Sequence, residues 1–149
     1  MREIKFRGRE VIGNQRKLGG WFFGDLVHYC GGYERTVDDE ITPVVTEICI
    51  ECADCLINVD PSTVGQFPGL KDSAGKEIYE GDILRYLPPW RWVDTKRIGV
   101  VVFQDYGFRV KNEYVTDSLF NIAVNSDGAR FEVIGNIHDN PELLRLTKK

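Results

Sequence analysis

Residues 60–84 read DPSTVGQFPGLKDSAGKEIYEGDIL, and the fold class rests on this stretch. Asp60 can accept from the free backbone N–H groups at a helix start, and Pro61 stands at the first helical position, where its missing N–H costs nothing. That pair predicts a single helical or 3-10 turn ending near Gly65. Phe67 and Leu70 are core anchors separated by the Pro68-Gly69 turn. KDSAGK, residues 71–76, has the chemistry of a hairpin connection. Glu80-Gly81-Asp82 is a second turn and launches a strand over 83–87. Apolar pieces this short, punctuated by Gly, Asp and Pro, predict antiparallel β structure and leave no room for a βαβ rhythm.

The same grammar continues on both sides. Upstream, residues 3–6 begin a strand that 10–12 extends beyond an Arg7-Gly8 turn. Residues 21–26 (WFFGDL) form a strand closed by a Gly-Asp turn, with 27–30 continuing it or pairing beside it, and 44–50 have strand composition. Downstream, 98–103 is the most strand-like run, 105–107 turns the chain and 108–114 returns. Residues 117–124 fit a strand or a short helix, 131–137 form the last strand, and 140–144 make a terminal helical turn. Phe6, Trp21, Phe22, Tyr79, Phe103 and Phe131 are the expected core aromatics. The predicted fold is mostly β, an antiparallel small barrel-like or strongly bent sheet with short helical turns. An N-terminal β region (1–59) and a C-terminal barrel-like region (60–149) are expected to form one continuous compact domain.

A chain of 149 residues supports one core. Its formal charge of −4 disfavours a wholly basic nucleic-acid binder. Positive residues gather in 1–20 and 85–111, with an acidic run at 34–60 between them. No apolar run is long enough to span a bilayer and the N-terminus has no apolar signal region, so an intracellular protein without membrane contact is expected. In a reducing compartment its four cysteines are read as thiols or metal ligands rather than disulfides.

MREIKFRG at the N-terminus, WFFGDL, the 60–84 stretch, GVVVF at 99–103 and EVIGNIHDNPELL at 132–144 together resemble the YopX-like family of phage and prophage proteins. The resemblance implies a small β protein of the bacterial cytoplasm with no established activity and a tendency to form homo-oligomers. It supplies no catalytic motif. Gly65, Gln66, Gly69, Gly75, Glu80, Gly81, Asp82, Gly135 and Asn136 match its recurrent pattern as architecture.

Three constellations carry chemical possibilities. Cys30, Cys49, Cys52 and Cys55, with His28, offer ligands for zinc or an iron–sulfur centre. Their spacing departs from paired knuckles, and buried inert thiols are the plainer reading. Glu80, Asp82, Asp105 and His138 could polarise a water, although the carboxylates sit in turn settings where they cap the backbone. Trp90, Arg91 and Trp92, with Arg85, Lys96 and Arg97 nearby, suit base stacking and phosphate neutralisation or a subunit interface. The expectation is a non-enzymatic accessory protein without cofactor, self-associating or binding a phage or host protein through Trp90, Arg91, Trp92 and Arg97. The acidic 34–60 run would be the complementary face. A DNA-binding accessory protein and a metal-dependent enzyme are the alternatives.

Overall fold

The computed structural model describes residues 3–13, 17–30, 33–35, 41–43, 46–52, 55–88, 95–124 and 131–147. The chain divides into two compact units, Lys5–Gly65 and Gln66–Lys149 together with Met1–Ile4.

The Lys5–Gly65 unit is built from β1 (Phe6–Ile12), β2 (Lys17–Cys30), β3 (Tyr33–Arg35), β4 (Ile41–Pro43), β5 (Thr46–Cys52) and β6 (Cys55–Asn58). With β7 (Gly65–Gln66) the main sheet has the order β6-β5-β2-β1-β7, and β3 and β4 form a separate ribbon. Two turns expected from the sequence are absent. β1 runs through Arg7-Gly8 with only an irregularity between Arg9 and Val11. β2 runs through Gly24-Asp25 as one strand because both its halves have partners, β1 as far as Gly24 and β5 from Asp25 onward. Leu26, Ile50 and Ile57 align across β2, β5 and β6, and Ile50 is wholly buried. Beyond β6, Val59 bridges back to Glu10 of β1 while its own N–H donates to Ile48 O at 2.9 Å. The 3-10 turn Pro61–Thr63 follows as its capping residues predict, with Asp60 Oδ1 accepting from Ser62 N–H at 2.9 Å.

In the second unit, β8 (Asp82–Tyr86), β9 (Arg97–Gln104), β10 (Gly107–Lys111), β11 (Thr116–Ser118) and β12 (Phe131–Asn136) make an antiparallel sheet of order β11-β10-β9-β8-β12. The ambiguous 117–124 region is divided: β11 ends at Ser118 and α1 (Leu119–Val124) begins. One face of the sheet carries Leu84, Tyr86, Val101, Val110 and Phe131, and α1 lays Leu119 and Ile122 onto it, with Ile78 filling the same core. Each such burial is worth about 1.5–3 kcal/mol. Of the aromatics expected inside, Tyr79 and Phe131 are buried, whereas Phe103 is 54% exposed. Phe103 has the core's parity, but it lies near the end of β9, where the covering layer has run out. Among the described residues neither sheet closes into a barrel.

The segment quoted at the outset stitches this unit together. Asp72 Oδ1 accepts from Ala74 N–H and Lys76 N–H, each at 2.9 Å, and its Oδ2 accepts from Val133 N–H at 3.1 Å. Ser73 N–H donates to Phe131 O at 3.0 Å. The loop thereby satisfies part of the outer edge of β12, an end strand of the sheet. Gly69 follows Pro68 at φ +86°, the value a type II turn requires at its third residue. At the other end, a Cβ on Gly135 would stand 2.6 Å from Asn140 Oδ1 and 2.8 Å from Leu143 Cδ1, so glycine there lets the 3-10 turn Pro141–Thr147 lie against β12.

Candidate binding site

A cleft of about 680 Å³ opens in the second unit, lined chiefly by Phe67, Pro68, Leu70, Phe108, Leu119 and Phe120. This lies within the size range of ligand and side-chain pockets. The Pro68-Gly69 turn supplies one wall. Phe67 is fixed beneath it by Tyr79, their rings 5.5 Å apart. β10 supplies the floor through Gly107 and Phe108, and α1 supplies the opposite wall. A six-residue helix with Leu119 and Ile122 inward must leave Phe120 and Val124, one turn apart, on another face; they are 68% and 65% exposed. Glu3 and Lys71, both exposed, are the charged residues of the lining.

The β9–β10 hairpin borders this cleft. Gln104 pairs with Gly107, leaving a two-residue turn of Asp105 and Tyr106 at φ +49° and +63°. Such turns favour Asn-Gly or Asp-Gly because both central residues are left-handed. Here the glycine falls one place late and a fully exposed tyrosine occupies the second position. Phe103 packs edge-on against Phe108 at 5.2 Å between centroids, so hairpin and cleft share an aromatic pair.

The contact residues read from the sequence fare differently. Trp90, Arg91 and Trp92 lie outside the described residues. Arg97 begins β9, half-buried, with Nη1 3.8 Å from the buried carboxylate of Asp117. Tyr86 Oη donates to the same Asp117 oxygen at 2.8 Å. Burial, and then the Asp117 charge and hydrogen bond, push the Tyr86 hydroxyl well above its ordinary pKa, with Arg97 opposing only in part. This network has no short motif to betray it, since Tyr86, Arg97 and Asp117 meet only when the four strands β8, β9, β10 and β11 pair. Arg85 forms a 3.1 Å cross-strand ion pair with Glu132.

Of the carboxylates read as able to polarise a water, Glu80 and Asp82 accept from backbone N–H groups and Asp105 faces a guanidinium. Asp82 Oδ2, almost fully buried, accepts from Tyr79 N–H at 2.7 Å, and Glu80 Oε1 accepts from Phe103 N–H at 3.0 Å. Asp105 is 3.6 Å from Arg109, and His138 N–H donates to Asn136 Oδ1 at 2.9 Å. Asp72 behaves likewise: burial works to raise its pKa, but the hydrogen bonds from Val133, Lys76 and Ala74 and the Lys76 charge outweigh it and hold the carboxyl below its ordinary value.

Cys49 is a buried thiol on β5 opposite Val27, and Cys30 lies three positions further along β2, opposite Thr46. Cys52 and Cys55 are cross-strand partners in the β5–β6 hairpin. Cys55 is disulfide-bonded, unlike the thiol expected there. Among the described residues no three His, Cys, Asp or Glu side chains converge on a common point. On β1 and β2, the Arg7 and Arg9 guanidinium carbons stand 4.7 and 5.9 Å from the Trp21 ring centroid, and Arg9 also donates to Gly19 O. Among the described residues, no helix is long and apolar enough to cross a membrane.

The chain is similar to the protein in the crystal structure of EF1440 from Enterococcus faecalis, with 25% identity over 95% of this chain and 98% of that one and a TM-score of 0.49. No curated protein matches. The family model described as "YopX protein" matches residues 26–145, most of the chain and the whole of the 60–84 stretch. The chain belongs to the YopX family.

Proposed function

We propose that this YopX-family protein works by binding rather than by catalysis, as a self-associating accessory protein of phage or prophage origin in the bacterial cytoplasm. The observation that carries this reading is the contrast between engaged polar groups and exposed apolar ones. Asp72, Asp82 and Glu80 are spent on backbone N–H groups, whereas Phe120 of the cleft wall is exposed, as are Phe103, Tyr106 and Val124 on the hairpin and helix that contribute to the lining. Large exposed apolar side chains gathered in one region mark interaction surfaces. Trp90, Arg91 and Trp92, which fall in sequence between β8 and β9, are proposed as further contacts together with Arg97 at the start of β9. A phage or host protein is the second class of partner this surface would suit.

Protein contact is favoured over nucleic acid because several basic residues already have intramolecular partners: Arg7 and Arg9 on Trp21, Arg85 on Glu132, Arg97 on Asp117 and Arg109 on Asp105. Light scattering across a concentration series tests the reading. A mass above one chain that dissociates on dilution supports it, and a monomer at every concentration removes self-association. Salt-dependent retardation of DNA would favour the nucleic-acid alternative instead. The zinc alternative through Cys30, Cys49, Cys52 and Cys55 requires a reduced Cys55, and zinc well below equimolar in protein purified reduced and without chelators would remove it.

A further inference from the structure

Tyr106 is costly where it stands. A left-handed backbone disfavours a side chain with a Cβ by roughly 1–2 kcal/mol, and for a bulky residue it is a genuine outlier. The usual compensation is burial or a hydrogen bond, yet the Tyr106 side chain is fully exposed at the tip of its hairpin. Nothing described within the isolated chain offsets that cost. The cleft presents the opposite problem, because Phe108, Leu119 and Phe120 line a hollow that a tyrosine side chain would fill only in part.

We propose that Tyr106 inserts into this cleft on a second copy of the chain, in a two-fold exchange that places each hairpin tip in its partner's hollow. The inference rests on the self-association proposed above and names its interface. Two observations support a second copy as the occupant. Knob and hollow are neighbours on one surface, since Gly107 and Phe108 both follow Tyr106 and line the cleft, which is the arrangement an isologous pair needs. Phe103, Phe120 and Val124 flank the contact with exposed apolar surface that would be covered along with Tyr106. Aromatic side chains bury about 150–250 Å² each, so this group forms a substantial part of the roughly 800 Å² per partner of a standard interface.

The test uses the full chain and two measurements on each variant. Tyr106→Asn keeps a residue that tolerates the left-handed backbone and removes the knob, so its midpoint of thermal unfolding, measured below the dissociation concentration, should equal or exceed the wild type. Its dimer dissociation constant should rise at least tenfold. Phe120→Glu should weaken association similarly from the other side. With a photoreactive benzoylphenylalanine at position 106 in a mixture of isotopically light and heavy chains, mixed-label crosslinks should fall within 67–71 or 107–120. A wild-type monomer at all concentrations would overturn self-association and this interface together. A dimer unaffected by Tyr106→Asn, or crosslinks elsewhere, would overturn the interface alone and leave self-association standing.

Discussion

The 67–82 segment and the 103–124 region are both rich in residues that sequence reading singles out, and they use them in opposite directions. In the first, Asp72, Glu80 and Asp82 turn inward to backbone donors, and Phe67, Ile78 and Tyr79 are buried. In the second, Phe103, Tyr106, Phe120 and Val124 are exposed, and the hairpin turn sets a tyrosine in a backbone state it disfavours. Recurrent turn residues therefore describe how the scaffold is held. The exposed apolar side chains lie in a stretch with no comparable signature.

The largest effects are expected in the buried segment. Ile78→Ala removes a side chain with no exposed surface from the core and should cost about 2–5 kcal/mol, read as a lower denaturation midpoint at unchanged slope. Asp82→Ala leaves the Tyr79 N–H without its acceptor, with an expected loss of about 1–3 kcal/mol. If either change proves neutral, the inward assignment of the segment is wrong.

Two titrations sharpen it. The Asp72 carboxyl has a folded-state pKa below its unfolded value of about 3.9, so the unfolded chain takes up a proton first as the pH falls. Its contribution is complete above the unfolded value and is lost as pH drops through the folded one. The stability gap between wild type and Asp72→Asn should therefore be widest near neutrality and narrow in acid. Tyr86 runs the other way. Its folded pKa is raised, the unfolded hydroxyl ionises near 10, and folding stability should fall as pH climbs above that value. Chemical denaturation of Tyr86→Phe at pH 9 and 11 should lack this component. The smallest effect is expected at the exposed site, where Tyr106→Asn should change stability by no more than about 1 kcal/mol, in the favourable direction.

Much of the scaffold was legible because its signals are local. Asp60-Pro61 marked the 3-10 turn, Pro68-Gly69 the tight connection between Phe67 and Leu70, and the apolar run at 98–103 the strand Arg97–Gln104. The turns expected at Arg7-Gly8 and Gly24-Asp25 are absent because Gly8 lies within the β1–β2 ladder, opposite Phe22, and Gly24 lies where β2 passes from pairing with β1 to pairing with β5. Phe103 was misplaced inside because alternation reports the face of a strand and not how far the covering layer reaches. The cleft and the Tyr86–Asp117–Arg97 network were illegible, since each is assembled from residues far apart in the chain. Arg97 drew notice as a surface cation, yet pairing turns it toward Asp117.

The most direct test sets Asp82→Ala beside Tyr106→Asn in the same two assays, equilibrium denaturation and light scattering. The account predicts a double dissociation: Asp82→Ala unfolds at lower denaturant but keeps the native mass while folded, and Tyr106→Asn keeps its stability but loses the larger species. Contradiction would be the reverse pattern, with Tyr106→Asn destabilised and still associated, or Asp82→Ala fully stable and monomeric.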